Sequence, residues 1–260
     1  MTAGTTGVTV AVNGLAGRMG RTVLETAAER DDVTVVCGID VDDLDGEVPV
    51  YSPEEQADAL ESHAPDAVVD FTVPDATATL AGACADAGVA MIVGTTGFEE
   101  DTLSVLQEAS STVPVLKATN FSRGIQGLLR TLGPALEALP DYDVEVMETH
   151  HNQKRDAPSG TAKTILEEIA EYREFDTVPG RDGIQPREDN EIGMLVRRAG
   201  DVRGEHEIML AGNDEVLTLT HRAEDRAVFA AGALDAAVWL AGRDAGWYDF
   251  GDVVDSQESR

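Results

Sequence analysis

His150 and His151, two of five histidines, stand side by side where a strand-like run ends. They lead into Asn152-Gln153-Lys154-Arg155-Asp156-Ala157-Pro158-Ser159-Gly160-Thr161. An imidazole with an unperturbed pKa of about 6.5 can give or take a proton at neutral pH. Such general acid–base help is worth on the order of 10² to 10⁴ in rate. Lys154 adds a cation and a second transferable proton. Ser159-Gly160-Thr161 opens a helix whose leading amides and hydroxyls suit a carboxylate. Neighbours in a regular strand point to opposite faces, so both histidines can serve one site only if the chain leaves the strand at about His150. Two other readings fit the same residues. One is a metal held by His150, His151 and Asp156, although adjacent histidines are an awkward ligand pair and Lys154 would repel the ion. The other is a purely structural cluster. Of the remaining histidines, His63 reads as a surface residue, and His206 and His221 as strand residues rather than catalysts.

A second constellation lies near the N-terminus. Gly14-Leu15-Ala16-Gly17-Arg18-Met19-Gly20 follows the first strand and opens the first helix. Glycines at such a turn let the backbone approach a pyrophosphate, which the helix start attracts. The spacing is GxxGxxG rather than the commoner GxGxxG. Asp40, at the end of the next strand, stands where a carboxylate would bond the adenosine ribose. A glycine turn with a capping aspartate and no ligand is the competing reading. An acid at position 40 repels a 2′-phosphate and favours NADH, with Arg18 and Arg21 as a partial offset, so NADH and NADPH both stay open. Gly94-Thr95-Thr96-Gly97-Phe98 and Ala118-Thr119-Asn120-Phe121 follow two further predicted strands. They lie at the carboxyl edge where open α/β sheets bind ligands, and their hydroxyls and amide suit a nicotinamide-ribose.

The elements that must position these groups alternate over the first 120 residues. Strand-like runs fall at 8–12, 33–39, 67–71, 89–93 and 113–116, with helical spacing at 18–30, 75–87 and 99–110. Strands separated by such helices predict a parallel sheet. After Phe121 the rhythm changes. Helices are predicted over 124–139 and 161–172, a strand over 142–149, and a loop over 177–190. Three successive strand-like runs at 191–197, 205–210 and 216–221 predict an antiparallel or mixed sheet. A long Ala-rich helix over 226–243 returns to the first domain, and the last ten residues read as an acidic tail. The fold class is therefore α/β: a Rossmann-type parallel-sheet domain (1–121 and 226–260) with an inserted α+β domain (122–225).

Composition narrows the partners. Forty-nine acidic against 19 basic residues leave a net charge of −30, which disfavours nucleic acid and anionic membranes. The acids are spread along the whole chain. Self-repulsion of this size is tolerable when the Debye length falls to about 3 Å near 1 M salt, which points to a salt-loving cell. Lys117, Lys154 and Lys163 are the only lysines. Either chance left them there, or a point charge was kept where an anion must be held. Cys37 and Cys84 sit in apolar stretches and read as core residues. No apolar run approaches the roughly 20 residues of a membrane span, and residues 1–7 are a short polar lead-in, so a cytoplasmic protein is expected.

Taken together, these strings resemble the dihydrodipicolinate reductase family of lysine and diaminopimelate biosynthesis. The resemblance is carried by residues 14–21, Asp70-Phe71-Thr72, residues 94–98, Asn120-Phe121-Ser122, the 148–161 segment, and Arg198-Ala199-Gly200-Asp201-Val202-Arg203-Gly204-Glu205-His206, in family order. It implies a homotetramer built through the substrate-domain sheets. It also implies hydride transfer from NADH or NADPH to the cyclic imine formed from 4-hydroxy-tetrahydrodipicolinate, a dicarboxylate. By the same resemblance His150 would be the proton donor/acceptor and Lys154 the second proton donor. His151, Gly160 and Thr161 would contact the substrate carboxylate. Gly14, Leu15, Ala16, Gly17, Arg18, Met19, Asp40, Gly94, Thr95, Thr96, Ala118, Thr119, Asn120 and Phe121 would contact the cofactor, with no metal. Val41 stands where some members carry an arginine for the 2′-phosphate. A related dehydrogenase acting on an amino acid or aldehyde would call for a different motif in the second domain. A non-catalytic dinucleotide sensor would have no reason to group His150 and Lys154.

Overall fold

The structure, a computed structural model, describes residues 7–258 apart from Asp43, Asp45 and Glu47, with side chains as far as residue 256. The lead-in expected over residues 1–7 lies outside it except for Gly7. The chain divides into two compact units, Met1–Phe121 with Arg226–Arg260, and Ser122–Asp225.

The first unit alternates β1 (Val8–Asn13), α1 (Arg18–Ala28), β2 (Val33–Ile39), β3 (Val50–Tyr51), α2 (Gln56–His63), β4 (Ala67–Asp70), α3 (Pro74–Ala87), β5 (Ala90–Val93), α4 (Glu100–Ala109) and β6 (Pro114–Lys117). After the second unit it resumes with α7 (Ala227–Leu240), β12 (Gly246–Tyr248) and α8 (Phe250–Glu258). Seven strands form one parallel sheet in the order β12-β6-β5-β4-β1-β2-β3. A parallel sheet is covered on both faces, so its strands must be apolar on both sides, and β4 and β5 are buried at every position. Val10, Val12, Val69 and Ile92 pack with α1, α7 and α8 on one face. Ala11, Val68, Met91 and Val115 pack with α2, α3 and α4 on the other. Helix α7 is apolar all round because it is buried on most sides.

The second unit holds α5 (Arg123–Ala138), β7 (Asp143–His150), α6 (Gly160–Ala170), β8 (Asp176–Val178), β9 (Glu191–Arg198), β10 (Glu205–Gly212) and β11 (Glu215–Arg222). Its sheet is mixed, in the order β11-β10-β7-β9-β8. β10 is antiparallel to both neighbours, whereas β9 is parallel to β7 and β8. Val144 and Val146 of β7 alternate inward onto Leu132 of α5 and Ile165 of α6.

Three local expectations fail for identifiable reasons. The acidic tail expected over the last ten residues is instead mostly α8. Phe250 and Val253, three apart, are fully buried beside α7 and anchor it, a spacing signal outweighed by the charge count. The loop expected over 177–190 begins inside β8, a strand of three residues that exists by pairing with β9. β3, α2 and β12 are additions to the expected elements; β3 and β12 are two and three residues long, too short for a periodicity.

Candidate active site

The glycine turn is built for close approach. Gly14 has φ +83°, and a Cβ there would stand 2.8 Å from Thr72 Cγ2 and 3.0 Å from the Phe71 carbonyl oxygen. At Gly20 a Cβ would fall 2.1 Å from the Gly14 carbonyl oxygen, so only glycine lets α1 pack onto the turn. Gly17 caps α1 with no side chain, which leaves the helix start open to an anion. Asp40 Oδ2 accepts a 2.8 Å hydrogen bond from the Ala16 amide, and Oδ1 accepts one of 3.1 Å from the Asp42 amide. A cavity of about 980 Å³ opens here, lined among others by Gly14, Gly17, Asp40, Val41, Glu54 and Val73. Uncapped amides, a side-chain-free turn and a carboxylate on the neighbouring strand form a cradle that fits a dinucleotide.

Beneath this edge lies a fully buried carboxylate. Asp70, the last residue of β4, accepts from Asn13 Nδ2 (2.7 Å), Thr72 Oγ1 (2.7 Å), Thr77 Oγ1 (2.6 Å) and Thr95 Oγ1 (2.8 Å). Burial raises its pKa above the ordinary aspartate range, against the pull of those four hydroxyl and amide donors. Thr95 Oγ1 also accepts from the Thr72 amide at 2.9 Å. The residue ties the ends of β1, β4 and β5 together.

The structure therefore divides the expected cofactor residues. Gly14, Ala16, Gly17 and Asp40 line the cavity, Arg18, Thr96 and Thr119 are exposed, and Met19, Gly94, Ala118 and Asn120 are half-buried. Three side chains are spent on the scaffold. Leu15 is buried under Gly38, Thr95 belongs to the Asp70 network, and Phe121 is buried edge-on between Phe71 and Phe250. Only the backbone of Leu15 and Phe121 is left to meet a ligand.

In the second unit β7 ends at His150, and the chain turns away through the polar segment. His150 is buried, and its Nδ1 lies 2.5 Å from Glu148 Oε2. Glu148, fully buried, is gripped by both prongs of Arg198: Nη1 donates to Oε2 and Nη2 to Oε1, each at 2.8 Å. The Ser159 amide donates to Oε1 at 3.1 Å. Burial works to raise the Glu148 pKa, but the His150 and Arg198 contacts prevail and hold it at about 2. His206 meets His150 edge-on at 5.2 Å between ring centroids. Burial, aided by the neighbouring His150, pushes His206 down to about 3, so it is neutral. Ser159 Oγ caps α6 by accepting from the Ala162 amide (3.2 Å) and lies 3.2 Å from His206 Nε2. Gly160 and Thr161 thus stand at the helix start, where an α-helix's leading amides have no intrahelical acceptor. Lys154 Nζ lies 2.9 Å from Asp156 Oδ1, and His151 is half-buried beside His150.

A family model for the N-terminus of dihydrodipicolinate reductase matches residues 8–121, and one for its C-terminus matches residues 124–254. The chain belongs to the dihydrodipicolinate reductase family. It is an oxidoreductase accordingly. The 4-hydroxy-tetrahydrodipicolinate reductase of Haloarcula marismortui is 61% identical over 95% of this chain and 99% of its own. That of Natronomonas pharaonis is 55% identical over 94% and 99%. A dipicolinate-bound dihydrodipicolinate reductase from a Paenisporosarcina species shares the fold, with a TM-score of 0.74 at 24% identity over 94% of this chain and 97% of that one.

For a dihydrodipicolinate reductase chain, the strings that carry the resemblance hold more than residue types reveal. Asp70 and Arg198 lie inside those strings, yet the sequence assigns neither a role. Glu148 also goes without one, although it sits two residues before His150 on a strand, a spacing that places both on one face. His206 is a strand residue, as expected, but it also packs against the His150 ring. His63 is half-buried, its Nε2 2.9 Å from the Tyr51 hydroxyl. Cys37 and Cys84 are buried free thiols whose pKa values burial raises. Among the described residues no helix is long and apolar enough to cross a membrane.

Proposed function

We propose that this chain reduces 4-hydroxy-tetrahydrodipicolinate, by way of its unsaturated cyclic imine, to tetrahydrodipicolinate in lysine and diaminopimelate biosynthesis, with NADH as the preferred donor. The observation that carries the reading is the grouping of His150, Lys154 and the α6 start in the second unit of a chain whose first unit holds an open glycine turn. Loss of the hydroxyl as water takes up one proton and releases one from the neighbouring carbon, and the reduction then adds one hydride and a second proton to the resulting double bond. A bound reduced dinucleotide supplies the hydride. Gly160 and Thr161, with His151, hold one substrate carboxylate at the helix start. His150 acts as proton donor/acceptor at the ring. Lys154 donates the second proton, exchanging its contact with Asp156 for the substrate. Asp40, Asp42 and Glu54 line the dinucleotide cavity with no basic side chain among its lining residues, which supports NADH over a cofactor bearing a 2′-phosphate.

The net charge of −30 supports a cytoplasm of high ionic strength. Edge strand β11 is exposed along most of its length, with Val216 60% exposed, and Leu195 of β9 is 39% exposed. An apolar sheet left open in this way supports assembly into a homotetramer through the second unit. The test is a coupled assay with freshly generated substrate, comparing NADH and NADPH at low and molar salt. Dinucleotide oxidation that depends strictly on the cyclic substrate, favours NADH and rises with salt is expected. Oxidation that ignores the substrate overturns the reading.

A further inference from the structure

We infer that Glu148 is a positioning residue: clamped by Arg198 and the Ser159 amide, it locks the His150 ring so that Nδ1 carries the proton and Nε2 alone faces the reacting molecule. The inference rests on the proposed function for what His150 does, but the lock itself is independent of it.

The two oxygens of Glu148 are fully subscribed. Oε1 receives Arg198 Nη2 and the Ser159 amide, and Oε2 receives Arg198 Nη1 and lies 2.5 Å from His150 Nδ1. Arg198 cannot give up its charge, and its fork matches a carboxylate in one plane. The carboxylate therefore cannot swing to follow the imidazole; the imidazole must come to it. An ionised carboxylate accepts only, so the ring nitrogen it meets must bear hydrogen. That assignment leaves Nε2 as the atom able to release or take a proton.

The opposite side of the ring is kept clear. Gly204, at φ +152°, faces His150, and a Cβ there would lie 3.1 Å from Nε2 and 3.4 Å from Cδ2. The same backbone segment is fastened in place, because the Ala199 amide donates to the His150 carbonyl at 2.9 Å and the Ala223 amide to the Gly204 carbonyl at 2.8 Å. Glu148 on its own strand, with Arg198 of β9 behind it, and His206 from β10 pack against the ring. Of these, Glu148 is the one that meets Nδ1. Its hold on the Ser159 amide extends the lock to the start of α6, so one buried carboxylate aligns the proton-transfer ring with the anion-binding helix start.

A glutamine at 148 cannot reproduce this, because its NH₂ must face donors on whichever side it is placed. The test combines two readouts. Nitrogen-15 spectra of histidine-labelled protein, with His150→Asn to assign the ring, report which nitrogen is protonated in the neutral imidazole. Proton on Nδ1 is expected in the unaltered protein, with a changed tautomer ratio in Glu148→Gln. In the same variant kcat should fall by about 10- to 100-fold, the usual loss when a group that orients an imidazole is removed, with KM within about threefold. A proton on Nε2 in the unaltered protein, or a folded Glu148→Gln enzyme with unchanged kcat, overturns the inference. Should Glu148→Gln fail to fold, the spectrum of the unaltered protein decides alone. That spectrum needs no turnover, so a failed assay with an intact Nδ1 signal would sink the proposed reaction and leave the lock standing.

Discussion

Among the described residues, each unit buries one carboxylate at or near the end of a strand, and the two are treated in opposite ways. Asp70 in the first unit is surrounded by four neutral donors, three hydroxyls and an amide. Burial wins there, and its pKa rises. Glu148 in the second unit meets a guanidinium, an imidazole and a backbone amide, and its pKa falls to about 2. Neutral donors satisfy a buried oxygen without stabilising its charge as strongly as a cation does. The first arrangement suits a fastener that joins strand ends under a cofactor cradle. The second keeps a negative charge beside the imidazole of His150, the ring proposed to transfer protons.

That contrast can be broken, beginning with the largest effect. His150→Ala removes the group that Glu148 serves. It should lower kcat by about 10² to 10⁴ in a steady-state assay with little change in KM, as expected of a group acting mainly in the transition state. Near-normal turnover would leave Glu148 with nothing to position.

Acid stability separates the two carboxylates by sign. Glu148 has a depressed folded pKa, so its contribution is present above about pH 4.5 and is lost as pH falls toward about 2. Asp70 is raised, so its ionisation works against the fold as pH climbs past the ordinary aspartate range. Urea unfolding at a series of pH values should show the deficit of Glu148→Gln shrinking as pH falls. The deficit of Asp70→Asn should shrink as pH rises. A common slope would erase the distinction.

The smallest effect is the cost of Asp70→Asn itself. Two of the four donors would then face an amide NH₂ whichever way it is turned, a loss of about 1–3 kcal/mol. Dinucleotide affinity, measured by titration, should weaken with it, while the His150 imidazole spectrum should be unchanged. A changed spectrum would mean that the two carboxylates act as one system.

Much of this is legible from residue order, and the parts that are not share a cause. The alternation of buried runs and helices places β1, β2, β4, β5 and β6 to within a residue or two, because continuous apolar runs and helical spacing are local signals. The glycine turn is legible because Gly14 and Gly20 answer a steric demand that no other residue meets. Phe121 and Leu15 read as ligand contacts, but their side chains lie in the core. A loop's position along the chain says nothing of which way its apolar members turn. The acid-rich C-terminal helix is hidden for the converse reason: two buried residues outweigh many charges.

Sequence by itself determined the order of the longer elements other than α2 and α8, the strand ends from which the polar segments leave, and the presence of an imidazole, an ammonium and a helix start within a dozen residues. Tertiary structure alone decided which carboxylates are buried and what holds them. Asp70 draws donors from β1, α3 and the loop after β5, and Glu148 is gripped from β9, 50 residues away. Such partnerships depend on register between strands, and register is set by how whole faces pack rather than by any short string of residues.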